Sequence, residues 1–320
     1  MFSLLLNACA SAPFNAAEQP LAPTLRQWSP ENSPKAVVLA LHSFGDYAAA
    51  FDHVGPYFSK AGIYLEAYDQ AGFGERQFDG RWAGEPQLVQ EAAKRIQHLS
   101  SVYHQPVFVM GESLGGAVAI LAALEQPDDV AGIILSAPAV REGIRLRYGW
   151  NVAIAGAAAL APGYRVSVER DPADPRLTPD NAKRLAYDER VMRKVRMDSY
   201  WGLIQLADSA SDQAPALVPA GVPVMLLYGE NDRSVPEAGI LALRNHLQDQ
   251  LTYKTIPEGP HLLLQGKQWQ ATSEIILRWV EQQSVAHRKA APRQDAISSH
   301  NAFPATSTIG PPSPLQPSVD

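Results

Sequence analysis

Runs of apolar, β-prone residues recur along the chain at 36–41, 63–69, 106–110, 130–136, 222–228 and 251–256, several with the continuous hydrophobicity of strands covered on both faces. Segments of helical character lie between them. From 85 to 104, Leu88, Ala92, Ile96, Leu99 and Tyr103 return every three or four residues, which predicts an amphipathic helix. Further helices are predicted over 51–62, 117–124, 238–247 and 273–282, and a short edge strand over 24–28. This alternation predicts parallel βαβ units in a doubly wound α/β sheet.

The alternation stops after Ala137-Pro138. Residues 141–219 show helical stretches at 148–160 and 189–208, a Pro- and Asp-rich loop at 162–180, and no strand. Strands of such sheets are usually joined by about 2 to 6 residues, so this stretch is expected to be a functional insertion. The core then comprises 24–140 and 220–283. Residues 12–23 read as a linker, and 284–320, turning to Pro, Ser, Ala and Thr, as a disordered tail.

Composition narrows the function. The chain has 320 residues, 46% of them hydrophobic and 19% charged, which is globular. Its net charge of -6 and lack of a long basic run argue against nucleic-acid binding. The single cysteine, Cys9, excludes an internal disulfide and a cysteine-based metal site. It closes an apolar start, Leu4-Leu5-Leu6-Asn7-Ala8-Cys9, which resembles the end of a bacterial lipoprotein signal without its positively charged leader. Lipidation of Cys9, tethering the protein in a bacterial cell envelope, is the expectation; an idle thiol on a cytoplasmic protein is the alternative. No later window is long and apolar enough to span a bilayer.

Candidate chemistry centres on Gly111-Glu112-Ser113-Leu114-Gly115-Gly116, set between the strand at 106–110 and the helix at 117–124. Strand, G-x-S-x-G, helix is the arrangement of a nucleophile elbow, in which a sharp turn lifts the serine hydroxyl clear of the sheet. A serine alcohol needs a base to activate it. His261 follows the last predicted strand, in Gly259-Pro260-His261, and so opens on the crevice at the strands' carboxyl ends. The other histidines fall in helices, near their polar ends, before the first turn or in the tail. An acid should lie between Ser113 and His261 in the chain. Asp232, in Gly229-Glu230-Asn231-Asp232, is favoured over Glu230, being far enough past its strand to turn toward the crevice. The oxyanion would be received by two backbone amides, Leu114 directly after the serine and Phe44 in the loop after the first buried strand.

Together with His42-Ser43-Phe44-Gly45-Asp46 and Tyr68-Asp69-Gln70-Ala71-Gly72-Phe73-Gly74, these motifs resemble the monoacylglycerol lipase and lysophospholipase branch of the serine α/β hydrolases over about residues 25 to 283. The resemblance implies an α/β-hydrolase fold with a helical cap, in which Ser113, Asp232 and His261 form the triad and Phe44 and Leu114 the oxyanion hole. It implies neither cofactor nor metal. Three departures stand out. Ser43 replaces a usual glycine, Ala71 replaces a common arginine, and the first strand pair is shortened to 25–28.

The apolar stretch at 152–160 with Met192, Met197, Tyr200, Trp201 and Leu203 would line an acyl channel, with Ile154, Met197 and Trp201 as its chosen contacts. The expected substrate is a fatty-acid ester of the monoacylglycerol or lysophospholipid kind, and membrane contact would come through lipidated Cys9 or the cap. Thioester or peptide hydrolysis on the same scaffold, and a non-catalytic lipid-binding relative, are the rivals. The sequence is silent on oligomeric state.

Overall fold

The computed structural model describes residues 24–142, 149 and 151–290. Cys9, the linker at 12–23 and residues 291–320 lie outside the described residues. Among the described residues nine strands follow in chain order: β1 (Leu25–Trp28), β2 (Ala36–Leu41), β3 (Ile63–Tyr68), β4 (Val107–Glu112), β5 (Gly132–Ser136), β6 (Arg165–Ser167), β7 (Lys194–Arg196), β8 (Val224–Gly229) and β9 (Leu251–Ile256). The α-helices among the described residues are α1 (Val54–Lys60), α2 (Glu85–Tyr103), α3 (Leu114–Glu125), α4 (Asn151–Leu160), α5 (Pro179–Tyr187), α6 (Met197–Gln213), α7 (Glu237–Leu247) and α8 (Trp269–Ala290).

Seven strands form one sheet in the order β1-β3-β2-β4-β5-β8-β9. Only the β1–β3 pair is antiparallel; from β3 to β9 the pairs are parallel. The continuous hydrophobicity of the inner strands has a simple cause. Alternate residues of β2 point to opposite faces, so Val37, Leu39 and Leu41 enter the core shared with α2 and α3, while Ala36, Val38 and Ala40 enter the one containing Phe58 of α1 and Trp279 of α8. The sheet is thus the middle of three layers, and the carboxyl ends of β2, β4, β8 and β9 open on one edge.

The insertion differs from the all-helical expectation. β6 and β7 pair antiparallel, with Val166 opposite Val195. Three-residue strands are too short for periodicity to reveal. The helix expected over 189–208 is displaced accordingly, beginning only at Met197 after β7. Within the loop expected at 162–180, α5 starts at Pro179, capped by Thr178, whose hydroxyl accepts from Asn181 N at 3.3 Å. Thr-Pro is a legible helix start that apolar periodicity alone overlooks.

The closing helix also outruns its expectation of 273–282. Trp279, Val280 and Ser284 are buried, and the following residues contain neither Pro nor Gly. Residues 284–290 are therefore helical, and the disordered tail expected from 284 is corrected there.

Candidate active site

β4 runs into α3 through Ser113, whose backbone takes φ 54 and ψ -113. That left-handed region is unfavourable for a residue with a side chain, and here neighbours hold it. Ser113 N donates to Ser136 O at 3.0 Å, and Ser113 O accepts from Ala139 N at 2.8 Å. The turn is tight enough to exclude side chains around it. A Cβ on Gly115 would sit 2.1 Å from Leu41 O, and one on Gly111 2.1 Å from Gly115 O. The glycines two residues on either side of Ser113 are thus required by close approach of strand and helix. Leu114 is the first residue of α3, where an amide has no partner within the helix.

Asp232 and His261 come from the loops after β8 and β9. His261 Nδ1 lies 2.8 Å from Asp232 Oδ2. An ionised carboxylate only accepts, so Nδ1 carries the donated hydrogen and Nε2 keeps its lone pair. The Asp232 side chain is fully buried and held by further donors, since its Oδ1 accepts from Ser234 N at 2.7 Å and Val235 N at 3.2 Å. Glu230, the residue passed over, instead accepts from Glu258 N at 3.4 Å.

The loop after β2 is fixed by a buried histidine. His42 Nδ1 donates to Ser43 O at 2.9 Å, and its Nε2 accepts from Gln70 N at 3.0 Å. Burial depresses the pKa of His42, outweighing the Ser43 carbonyl and the Asp46 and Asp69 carboxylates, and the neutral ring suits both bonds. The Phe44 ring meets Phe73 edge-on at 5.4 Å. The residue of this loop in the left-handed region is Gly45, at φ 75, whereas Ser43 is not among the residues with positive φ. Serine in place of the usual glycine therefore asks nothing unusual of the backbone. Ala71, in place of an arginine, is fully buried.

These loops enclose a cavity of about 680 Å³, lined on the core side by Ser43, Phe44, Ser113 and His261. Ile154, chosen from the sequence as a contact, is in its wall, but Met197 and Trp201 are not. The wall takes Tyr200, Leu203, Ile204 and Ala207 from α6. Their spacing of three and four residues is one helical face, and Trp201 is rotated off it by about 100°. Met197, the first residue of α6, stands a turn ahead of Tyr200. Met192 sits outside the wall as well, its N–H donating to Gly45 O at 2.7 Å behind the Phe44 loop.

Sequence reasoning missed a buried polar cluster beneath the site. Glu112, adjacent to the serine, accepts from Leu264 N at 3.1 Å and from Gln265 Nε2 at 2.8 Å. The same amide nitrogen donates to Asp46 at 3.0 Å, and Arg184 of α5 pairs with Asp46 and donates to Gln265 Oε1 at 2.8 Å. Burial pushes the Glu112 carboxyl up to about 7, against the lowering effects of Gln265, Leu264 and His261. Burial would also raise Asp46, but the Arg184 charge and hydrogen bonds reverse this and hold it below its ordinary value. The signal in the sequence was chemical: charged or amide residues inside motifs otherwise bound for the core.

A strained serine between strand and helix, a buried aspartate holding a histidine after later strands, and one cavity shared by serine and histidine are features of an α/β-type serine hydrolase. Comparison with known proteins agrees. The model of the family described as serine aminopeptidase, S33, matches residues 32–268, and the chain belongs to that family. Human monoglyceride lipase is 25% identical over 280 residues, covering 83% of this chain and 89% of the relative. The monoacylglycerol lipase of Mycolicibacterium smegmatis is 25% identical over 270 residues, covering 79% and 90%. Among solved structures, a soluble variant of monoglyceride lipase from Saccharomyces cerevisiae in complex with a substrate analogue aligns with a TM-score of 0.69 at 16% identity, over 81% of this chain and 91% of that one. The chain is an α/β hydrolase of the monoacylglycerol lipase branch.

Proposed function

We propose that this carboxylic ester hydrolase cleaves fatty-acyl monoesters, of the monoacylglycerol or lysophospholipid kind, through an acyl-enzyme on Ser113. The observation that carries the reading is the Asp232-oriented His261 sharing a cavity with the strained Ser113. In the first half-reaction His261 Nε2 takes the Ser113 Oγ proton as Oγ attacks the ester carbonyl. Asp232 remains ionised and stabilises the imidazolium. The tetrahedral oxyanion lies against the amides of Phe44 and Leu114. Collapse expels the alcohol, which leaves with the proton held by His261. In the second half-reaction His261 deprotonates a water that attacks the acyl carbon, and the proton returns to Ser113 Oγ as the fatty acid departs.

Support for an acyl substrate comes from the cap side of the cavity, where Ile154, Leu203 and Ile204 present aliphatic surface. Membrane tethering through Cys9 is carried forward as part of the proposal, and the intact mass of the mature protein tests it. A fluorophosphonate probe tests the chemistry: labelling should map to the peptide carrying Ser113 and vanish in Ser113→Ala. A wild-type protein that resists the probe would instead support the passive lipid-binding rival.

A further inference from the structure

Arg170, in the segment between β6 and α5, lines the same cavity as Ser113 and His261. It is half-buried, and its Nε is fully buried without a hydrogen-bond partner. Among the described residues its guanidinium makes no ion pair or hydrogen bond. Burial depresses its pKa, yet an arginine stays charged in proteins.

The two carboxylates that influence it are already engaged. Asp46 accepts from Tyr47 N, from both terminal nitrogens of Arg184 and from Gln265 Nε2. Asp174 accepts from the backbone N, Nε and Nη2 of Arg176. Among the described residues lining the cavity there is no Asp or Glu, and the other cation, Arg141, pairs with Asp208. A buried guanidinium nitrogen left unpaired is costly, whereas Arg176, Arg184, Arg190 and Arg196 of the cap have carboxylate partners. The cavity that Arg170 lines offers room for an anionic partner.

We infer that Arg170 is a specificity-determining residue that receives a phosphate on the alcohol part of the substrate, so that the preferred ester is an anionic lysophospholipid rather than a neutral monoacylglycerol. The planar guanidinium offers parallel donors that match two phosphate oxygens. The aliphatic residues of α4 and α6 would hold the acyl chain while the ester carbonyl rests at Ser113. This refines the hydrolase reading above, and rests on it for the placement of the ester.

Equilibrium binding to the full-length Ser113→Ala protein tests the inference without turnover. The probes are 1-oleoylglycerol 3-phosphate, 1-oleoylglycerol, oleate and inorganic phosphate. A charge-assisted pair predicts that the phosphate-bearing ester binds at least about tenfold tighter than the neutral one. Adding Arg170→Met should abolish that difference, and Arg170→Lys, which keeps the charge but not the fork, should retain part of it. Equal binding of the two esters, or an undiminished preference in Arg170→Met, overturns the inference. So does oleate or free phosphate binding as tightly as the phosphate-bearing ester, since the site would then serve a product or a loose anion. Fatty-acid release by wild-type protein, measured alongside, reports on the hydrolase reading separately.

Discussion

The side-chain amide of Gln265 donates to Glu112 at 2.8 Å, tying the loop that carries His261 to the residue immediately before Ser113. Through the same side chain Asp46 and Arg184 join in, so the serine turn, the histidine loop, the segment after β2 and helix α5 of the cap meet at one buried amide. Catalytic geometry and cap position are thereby mechanically linked.

Gln265→Leu should therefore act on both stability and turnover. It leaves Glu112 and Asp46 each short of a donor, at about 1–3 kcal/mol per buried group. Small displacements of His261 relative to Ser113 should also lower kcat, by about tenfold or more. Urea unfolding and ester turnover check this. A variant with wild-type midpoint and kcat would show that the amide only fills space.

Glu112 predicts a specific pH dependence of stability. Its carboxyl is held up to about 7, above the ordinary range near 4.5, chiefly by burial. A raised pKa means that the folded state binds the proton more tightly than the unfolded state. The associated stability is present below about pH 4.5 and is lost as pH rises through about 7, with a ceiling of about 3 kcal/mol. Glu112→Gln cannot titrate. The stability of wild type minus that of the variant should fall between pH 5 and pH 8, and a difference that stays level contradicts the buried-acid account. His42, whose depressed pKa works in the opposite direction, is common to both proteins and drops out of the comparison.

The 2.8 Å contact between His261 Nδ1 and Asp232 predicts the outcome of Asp232→Asn. An amide can donate to Nδ1 and so favour the tautomer with the proton on Nε2, which is unable to accept from Ser113. Turnover should drop by about a thousandfold or more while the fold persists. Steady-state ester hydrolysis and a thermal melt read the two effects, and a variant retaining a tenth of wild-type kcat would remove Asp232 from the mechanism.

Much of this arrangement is legible in the sequence because its physical causes are local. Continuous apolar runs mark doubly covered strands, and the glycines around Ser113 mark a turn too tight for side chains. The His261–Asp232 contact was foreseeable only through the rule that parallel strands present their carboxyl-end loops on one edge. Cap details were less legible. β6 and β7 are too short to carry a pattern, and which face of α6 looks into the cavity depends on tertiary packing, so Ile154 lies in the cavity wall and Met197 and Trp201 do not. The Glu112–Gln265–Asp46–Arg184 cluster joins residues up to 219 positions apart, beyond the reach of spacing arguments.

Release of fatty acid from a monoacyl ester such as 1-oleoylglycerol, by wild type and by Ser113→Ala, tests the central claim most directly. Wild type should turn over continuously, and the variant should lose activity by about a thousandfold or more, since the remaining donors stabilise charge but supply no nucleophile. Wild-type protein inert toward monoesters of every acyl length, or a Ser113→Ala protein that still releases fatty acid at a comparable rate, would contradict it.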